Sequence, residues 1–208
     1  MKFKNTSVMN MDNAFRGMRN PLNSWEKSDS YYDKGTFKIG EKDLGLAQRL
    51  IKAGPEHRKF MRQIFVSVDI TAPLFLFKEV DTYKVGTTAN STSTMHKLAT
   101  TPITLECFET DDYNEEYANL GSNKINPNWI INYLESLRLK YLETKDIGYW
   151  KELIRWLPES WLQTRTITMS YENLYSIVRQ RKNHKLTEWK QFIDWITTLP
   201  YSNELIFC

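Results

Sequence analysis

A run of small polar residues between positions 86 and 96 offers a dense set of side chains that could bind a polar ligand. The run reads GTTANSTSTMH, and most of its side chains carry a hydroxyl or an amide group. Because these groups both donate and accept hydrogen bonds, they suit a phosphate, a sugar or the edge of a heterocyclic ring. Hydroxyl-rich segments are also common as solvated loops, so composition alone leaves both interpretations open.

Four arginines in the last third of the chain form a second set of candidate binding groups. They are Arg155, Arg165, Arg179 and Arg181. The planar guanidinium group of arginine can hold a phosphate through two parallel hydrogen bonds. The alternative is that they are unrelated surface arginines, which is the commoner situation.

The histidines and cysteines form no recognisable metal or redox motif. His57, His96 and His184 are widely separated, and none belongs to an HExxH or Cys-His pattern, so no metal site is predicted. Cys107 and Cys208 have neither a redox spacing nor a disulfide framework, which favours a reducing cytoplasm. GxSxG, phosphate-loop and GxGxxG patterns are also lacking, which excludes the commonest hydrolase, NTPase and Rossmann interpretations.

Charge and hydropathy argue against a nucleic-acid or membrane partner. The chain has 28 Lys and Arg against 25 Asp and Glu, and a net charge of +3 is too small for binding a polyanion along one whole face. The apolar run Ala72 to Phe77 is far shorter than a membrane span, and the first 24 residues lack the apolar region of a signal peptide. We therefore predict a cytoplasmic protein.

The first part of the chain predicts an arm followed by a compact domain. Residues 1–36 are polar with interspersed aromatics, and we predict an irregular arm whose aromatic side chains dock onto the body. Residues 37–208 form the single predicted domain. The interspersed aromatics of the arm are Phe15, Trp25, Tyr31 and Tyr32.

Within the domain, apolar spacing predicts helices and strands in a mixed order. A helix from Glu41 to Gly54 is followed by a strand over Gln63 to Ile70 and by a helix that starts at Ala72-Pro73. The second half adds helices over 128–142, 149–156, 171–181 and 186–199 and a short strand over 165–169. The predicted fold class is α+β, with helices in the majority.

Residues 62–96 resemble part of the flavin-dependent thymidylate synthase (ThyX) family. RQIFVSVDITAPLFLFKEVDTYK is similar to the family's strand and Ala-Pro-apolar helix, which lead into the signature Arg-His-Arg-x-x-Ser-x-Asn-Glu-x-Ser-x-Arg-Tyr. YKVGTTANSTSTMH, from Tyr83 to His96, falls on that signature without a gap. Asn90 and Ser93 match it and Thr88 replaces a Ser. The charged positions differ: Tyr83-Lys84-Val85 stands for Arg-His-Arg, Ser91 for the Glu and Met95 for the last Arg. A register shifted by one residue places Lys84 on the third basic position.

A second segment of the chain resembles the same family. RWLPESWLQTRTITMSYENLYSIVRQRKNHKLTEW, residues 155–189, is similar to the family's Arg-x-x-Leu-Pro segment, its Thr-rich strand and its helix that ends in a nucleotide-binding Arg. Arg155 precedes the Leu-Pro pair, and either Arg181 or Arg179 stands at the helix end. His184 and Glu188 resemble the His and Glu that follow this Arg in the family.

The resemblance implies a ThyX-like fold with a central antiparallel sheet and flanking helices. It also implies a homotetramer in which FAD and dUMP meet at subunit junctions. In such an enzyme the reduced flavin delivers hydride, methylenetetrahydrofolate supplies the carbon and NADPH recharges the flavin. The nucleotide-binding residues implied here are Ser91, Ser93, Arg155 and Arg181. The flavin-binding residues implied are Lys84, Thr88, Asn90 and Arg165.

The departures from the signature leave three functions open. Met95 stands where the family has an Arg that faces the pyrimidine, and His96, the next residue, is the candidate catalytic donor if it is protonated. The first function is an enzyme that methylates or otherwise modifies a pyrimidine nucleotide such as dUMP. The second is an inactive ThyX-like protein that binds or sequesters a nucleotide or flavin. The third is a structural or interaction protein, favoured by the aromatic arm.

Overall fold

The computed structural model describes residues 1–120, 123, 124 and 126–208. The strands are β1 (Lys2–Met9), β2 (Tyr31–Asp33), β3 (Thr36–Lys38), β4 (Phe65–Pro73), β5 (Thr88–Ser91), β6 (Asn119–Leu120), β7 (Asn123–Lys124) and β8 (Leu162–Ser170). The N-terminal helices are α1 (Met11–Gly17), α2 (Glu41–Lys52), α3 (Leu74–Val80), α4 (Thr94–Lys97) and α5 (Glu115–Ala118). The C-terminal helices are α6 (Pro127–Thr144), α7 (Ile147–Arg155), α8 (Tyr171–Arg181), α9 (Thr187–Thr197) and α10 (Ser202–Leu205).

The largest sheet has four strands in the order β1-β4-β8-β5, and β2-β3 and β6-β7 form two-stranded ribbons. In β4, Val66, Val68 and Ile70 are buried and alternate with partly exposed polar residues, because successive side chains of a strand point to opposite faces. The sheet is antiparallel with flanking helices, which confirms the predicted α+β fold.

The chain divides into two compact units. The first unit comprises Met1–Ile70, Asp81–Asn90 and Thr166–Cys208, and the second comprises Thr71–Val80 and Ser91–Arg165. The boundaries between them fall inside or beside strands β4, β5 and β8.

The first unit is built around large aromatic side chains of its C-terminal helices. Trp189 and Phe192 of α9 are fully buried, and Phe3 of β1 stacks on Trp195 with ring centroids 5.0 Å apart. Tyr171 at the start of α8 is also fully buried, and its hydroxyl donates to the carbonyl of Pro200 at 2.7 Å. Burial raises the pKa of the Tyr171 phenol.

The second unit has its own apolar core, formed by Leu98, Ile103, Phe108, Ile131, Leu134 and Leu153. Arg138 of α6 is buried beside this core and donates from Nε to Glu135 at 2.7 Å and from Nη1 to the carbonyl of Ala99 at 3.3 Å. Glu135 in turn accepts from the backbone N–H of Ile103 at 2.8 Å. The hydrogen bond from Arg138 holds the pKa of Glu135 below its ordinary value. Through their bonds to Ala99 and Ile103, the two side chains connect α6 to residues 99–103.

The arm is more ordered than the sequence predicted. Residues predicted to be irregular form β1 and α1, and Phe15 is buried with its ring 5.8 Å from that of Phe60. Trp25, Tyr31 and Tyr32 remain exposed, and the prediction that all four aromatics dock onto the body is wrong for Trp25 and Tyr31, whereas the ring of Tyr32 lies 5.5 Å from that of Phe37. The 3-10 turn that contains Trp25 and the strand β2 that contains Tyr31 and Tyr32 carry no buried residue.

A buried ion pair joins the arm to α2. Nε of Arg19 lies 2.5 Å from Oδ1 of Asp43, and both side chains are nearly inaccessible to solvent. The hydroxyls of Ser28 and Ser30 donate to the other carboxylate oxygen at 2.6 and 2.5 Å. Burial alone would raise the pKa of Asp43, but the hydrogen bonds from Ser28, Ser30 and Arg19 outweigh it and hold that pKa below its ordinary value.

Two predicted boundaries need correction. The helix predicted to begin at Ala72-Pro73 begins at Leu74, because β4 continues through Pro73. The polar run at 86–96, which composition alone would assign to a loop, contains β5 and the short helix α4. None of the described helices combines the length and the apolar character that crossing a membrane requires.

Candidate functional site

A tight turn precedes strand β5. The backbone N–H of Thr87 donates to the carbonyl of Lys84 at 3.1 Å, and Gly86 has a φ of +71°, a value that L side chains rarely adopt. Asn173 of α8 donates from its amide to the carbonyl of Val85 at 2.8 Å. Because Asn173 is also part of the capping box that begins α8, the turn is fixed to the start of that helix.

The candidate flavin-binding residues of the first unit lie in this turn and in the strand after it. The side chains of Lys84, Thr88 and Asn90 are all exposed, with the latter two on β5. The hydroxyl of Thr87 is buried and makes no hydrogen bond, which is unusual for a buried polar group. The segment therefore presents an ammonium, a hydroxyl and an amide within seven residues, beside an unsatisfied hydroxyl.

Arg181 lies in an aromatic cluster at the C-terminal end of α8. Its Nε donates to the hydroxyl of Tyr83 at 3.0 Å, and that hydroxyl donates to Oε1 of Gln180 at 2.9 Å. The guanidinium carbon lies 5.0 Å from the ring centroid of the buried Trp189. Hydrogen bonding and the aromatic rings therefore hold the guanidinium group in one place.

The sequence did not identify Tyr83, Gln180 or Trp189 as part of a site. Tyr83 was notable only as a neutral residue at a basic position of the signature. Its partner Arg181 is 98 residues away in sequence, and the contact follows from the tertiary fold. The one local signal was the pair Gln180 and Arg181 at the end of a helix whose bounds the sequence predicted correctly.

Arg179, the alternative to Arg181 at the end of α8, has other partners. Its Nη1 and Nη2 donate to the carbonyls of Ile206 and Cys208 at 3.1 and 2.8 Å. Its guanidinium carbon lies 3.3 Å from the ring centroid of Tyr175. Arg179 thus binds the C-terminal residues of the chain. His184, three residues after Arg181, has its ring 6.3 Å from that of Trp189.

In the second unit, Ser91, Ser93 and His96 lie on one short segment. The hydroxyl of Ser93 accepts from the backbone N–H of His96 at 3.2 Å and so caps helix α4. His96 and Ser91 are exposed, whereas Ser93 is partly buried. Thr92, between the two serines, donates its backbone N–H to the carbonyl of Thr164 at 2.8 Å, which places this segment beside β8.

Arg165 is held against the body of the second unit. Its Nε donates to Oε1 of Gln163 at 2.8 Å, and its guanidinium carbon lies 4.1 Å from the ring centroid of Phe77. Gln163 also donates to the carbonyl of Thr92 at 2.8 Å. A chain of contacts therefore links Arg165 to the segment that carries Ser91 and Ser93.

Arg155, at the end of α7, is half exposed and forms an ion pair with Glu152 one turn earlier. Glu152 also accepts a hydrogen bond from the indole of Trp156 at 3.0 Å. Exposed ion pairs of this kind contribute little free energy, so a ligand phosphate can compete for the arginine. Among the described residues, no group of three or more His, Cys, Asp and Glu is arranged to hold a metal ion.

Comparison with known proteins rests on structure alone. No protein-family model and no curated protein sequence matches the chain. The fold is similar to that of two crystal structures of the flavin-dependent thymidylate synthase ThyX from Helicobacter pylori, both complexed with FAD and dUMP. One is 19% identical with a TM-score of 0.69 and covers 99% of this chain and 98% of its own. The other is 18% identical with a TM-score of 0.70 and covers 99% and 97%.

Proposed function

We propose that this protein binds a pyrimidine deoxynucleotide such as dUMP together with FAD and methylates the nucleotide in a flavin-dependent reaction. The observation that carries the proposal is the likeness, over almost the full length of both chains, to proteins crystallised with FAD and dUMP. The sequence adds the residues that match the family's signature and its nucleotide-binding helix.

In the first unit we assign the nucleotide phosphate to Arg181. Its guanidinium group is held between Tyr83 and Trp189, so little conformational entropy is lost when it binds an anion. In the second unit the resemblance assigns Arg155, Ser91 and Ser93 to the nucleotide. A guanidinium group and hydroxyl donors are the groups that a phosphate dianion prefers.

The residues of the turn and of β5 fit a flavin dinucleotide. Lys84 offers a cation to the pyrophosphate, while Thr88 and Asn90 offer donors and acceptors to the ring edge. The unsatisfied hydroxyl of Thr87 supplies another polar atom beside them. In the second unit, the resemblance assigns Arg165 to the flavin. Bound FAD would supply the hydride, with NADPH and methylenetetrahydrofolate as the proposed co-substrates.

His96 is the proposed group that acts at the pyrimidine ring. Its exposed imidazole follows Met95, which cannot donate to a developing negative charge. A ring N–H of His96 would donate a hydrogen bond to the ring oxygen on which electron density accumulates. One well-placed donor of this kind contributes roughly 3 kcal/mol, or about a hundredfold in rate.

Binding without turnover is the second candidate function, and one observation favours it. The eight side chains from Thr88 to Met95 carry no charge, so this part of the chain offers hydrogen bonds but no fixed cation. A protein of this kind would hold a nucleotide or flavin and serve to regulate or sequester it.

Self-association and location belong to the same proposal. We propose a cytoplasmic homotetramer whose single domain spans residues 37–208. Trp129 and Tyr133 of α6 stack at a centroid distance of 6.0 Å and are 69% and 39% exposed. Exposed apolar groups of this size are typical of surfaces that associate with another protein.

The test begins with the absorption spectrum of the purified full chain. The enzyme function predicts a yellow protein whose flavin spectrum changes when dUMP is added. It also predicts thymidylate when NADPH and methylenetetrahydrofolate are supplied. A protein that binds dUMP or FAD in equilibrium dialysis but forms no thymidylate supports the second function. Failure to bind either ligand would overturn both.

A further inference from the structure

A groove with a volume of about 1340 Å³ opens on the first unit and contains none of the residues assigned above. Its walls come from three stretches of chain. These are residues 17–27, which begin at the last residue of α1, residues 42–50 of α2, and residues 56–63, which precede β4. The volume exceeds the range of roughly 300–1,000 Å³ that is usual for small-molecule pockets, so an organic ligand fits with room for water.

Helix α2 presents a mixed face to this groove. Lys42, Leu46, Arg49 and Leu50 all line it. Their spacing of four, three and one residues places them on one side of a helix. The two leucines are only partly buried, so this face of α2 offers apolar surface beside two cationic side chains.

The charges along the groove are unbalanced. Six Lys and Arg side chains line it against two glutamates, a difference of +4 that exceeds the net charge of +3 of the whole chain. The lining residues that count here are Arg19, Lys27, Lys42, Arg49, Lys59, Arg62, Glu26 and Glu56.

Most of these cations have no carboxylate partner. Arg19 is paired with Asp43, and Arg62 is paired with Glu172. Among the described residues, no ion pair within 4 Å is formed by Lys27, Lys42, Arg49 or Lys59. Four cationic groups around one groove attract an anion more strongly than any one of them does.

The groove also has apolar surface to cover. Leu22 is 84% exposed, and Phe60, though itself buried, contributes to the lining. Removing such surface from water contributes a favourable free energy of about 25 cal/mol per Å² to ligand binding. A ligand that is only charged would leave this surface wet, and one that is only apolar would leave the cations unpaired.

We propose that this groove is a binding site for an organic phosphate, that is, a doubly charged phosphate group on an apolar or aromatic body. Lysine and arginine are the cations that proteins use for phosphates. The apolar body lies on Leu46, Leu50 and Leu22, and the phosphate lies among the cationic side chains of Lys42, Arg49 and Lys59.

The probe is 1-naphthyl phosphate, titrated into the full-length protein at low ionic strength and followed by calorimetry. The expected affinity is at least tenfold tighter than for 1-naphthol, which lacks the charge, or for inorganic phosphate, which lacks the apolar body. Added salt weakens the binding because it screens the cations. If either half-ligand binds as tightly as the probe, or if no ligand binds saturably, the proposal is wrong.

Variants on one helix locate the site. Lys42→Glu combined with Arg49→Glu reverses two charges of the groove and is expected to lower the affinity for the probe at least tenfold. Lys52→Glu is the matched control, since Lys52 is an exposed residue of α2 outside the lining. Lys52→Glu is expected to change the affinity for the probe less than twofold per reversed charge. Thermal unfolding checks that all variants fold. Equal weakening by the control would mean that only net charge matters and would overturn the site.

The site is also separable from the proposed nucleotide site. Arg181→Ala and saturating dUMP are both expected to leave probe binding unchanged, because Arg181 does not line the groove. Loss of probe binding under either condition would place the probe in the nucleotide site and contradict the proposal. Loss of dUMP binding alone, with the probe still bound, would leave the groove as a separate site.

Discussion

The hydroxyl of Tyr83 lies 3.0 Å from Nε of Arg181 and 2.9 Å from Oε1 of Gln180, and so connects the segment before β5 to the end of α8. The phenol accepts from the guanidinium group and donates to the amide, which uses its single proton and one of its lone pairs. A neutral side chain therefore sets the position of a cation that we assign to a phosphate.

Replacing this hydroxyl gives the first prediction. Tyr83→Phe keeps the ring and removes both hydrogen bonds, so the free energy of unfolding is expected to fall by about 1 kcal/mol. Because Arg181 loses a partner that orients it, dUMP binding should weaken severalfold, with a smaller change for FAD. Chemical denaturation and equilibrium dialysis measure the two effects. Unchanged dUMP affinity with reduced stability would limit Tyr83 to a structural role.

Removing the cation itself has a larger expected effect. Arg181→Ala should weaken dUMP binding about tenfold or more, since a hydrogen bond to a charged group contributes about 1.5–3 kcal/mol. Lys182→Ala, at the next and exposed position, removes the same charge and should change the affinity less than twofold. Equal affinities of the wild-type protein and Arg181→Ala would show that the assignment is wrong.

The sequence predicted those elements whose signals are local. Helix α8 was predicted over Tyr171–Arg181 with the bounds that the structure shows, because its apolar residues follow helical spacing. The structure adds a capping box of Ser170 and Asn173 that fixes the start of this helix. Strand β4 was predicted over residues 63–70, where β-branched residues alternate with others, and it spans Phe65–Pro73, so the prediction begins two residues early and ends three residues short.

The elements that the sequence missed depend on distant partners. Strand β1 is largely polar, and its apolar anchor Phe3 stacks on Trp195, 192 residues further along the chain. Strand β5 lies next to β8 in the sheet, although its composition is that of a loop. Within the candidate site the same limit applies, since no local pattern indicates the contact between Tyr83 and Arg181.

The turn before β5 gives a prediction about backbone strain. Gly86→Ala should lower the free energy of unfolding by about 1–2 kcal/mol, because Ala is unfavourable at a φ of +71°. Space is available for the methyl group, whose closest neighbour would be Oδ1 of Asn173 at 4.0 Å, so the cost comes from the backbone.

Gly45→Ala is the matched control for this substitution. Gly45 lies inside helix α2, and an added methyl group would meet Nη1 of Arg49 at 3.6 Å, an ordinary contact. Alanine in a helix interior is favoured over glycine by roughly 0.5–1 kcal/mol, so this variant should be more stable than the wild type. The same sign for both variants, measured by thermal unfolding, would contradict the explanation.

The buried pair of Arg19 and Asp43 gives a prediction about pH. Asp43→Asn keeps the shape but leaves the charge of Arg19 buried without its partner, which should lower the free energy of unfolding by about 3–5 kcal/mol at pH 7. Asp33→Asn, at an exposed position of β2, removes the same charge and should have little effect.

The pH dependence follows from the direction of the shift. Because the pKa of Asp43 is lower in the folded protein than in the unfolded chain, its contribution is present above the unfolded pKa of about 3.9 and is lost as the pH falls through the folded pKa. The difference in stability between the wild type and Asp43→Asn should therefore stay constant from pH 8 to about 5 and shrink in acid. Denaturant unfolding across this range measures it, and a difference that grows on acidification would mean that the carboxylate of Asp43 does not stabilise the fold through Arg19.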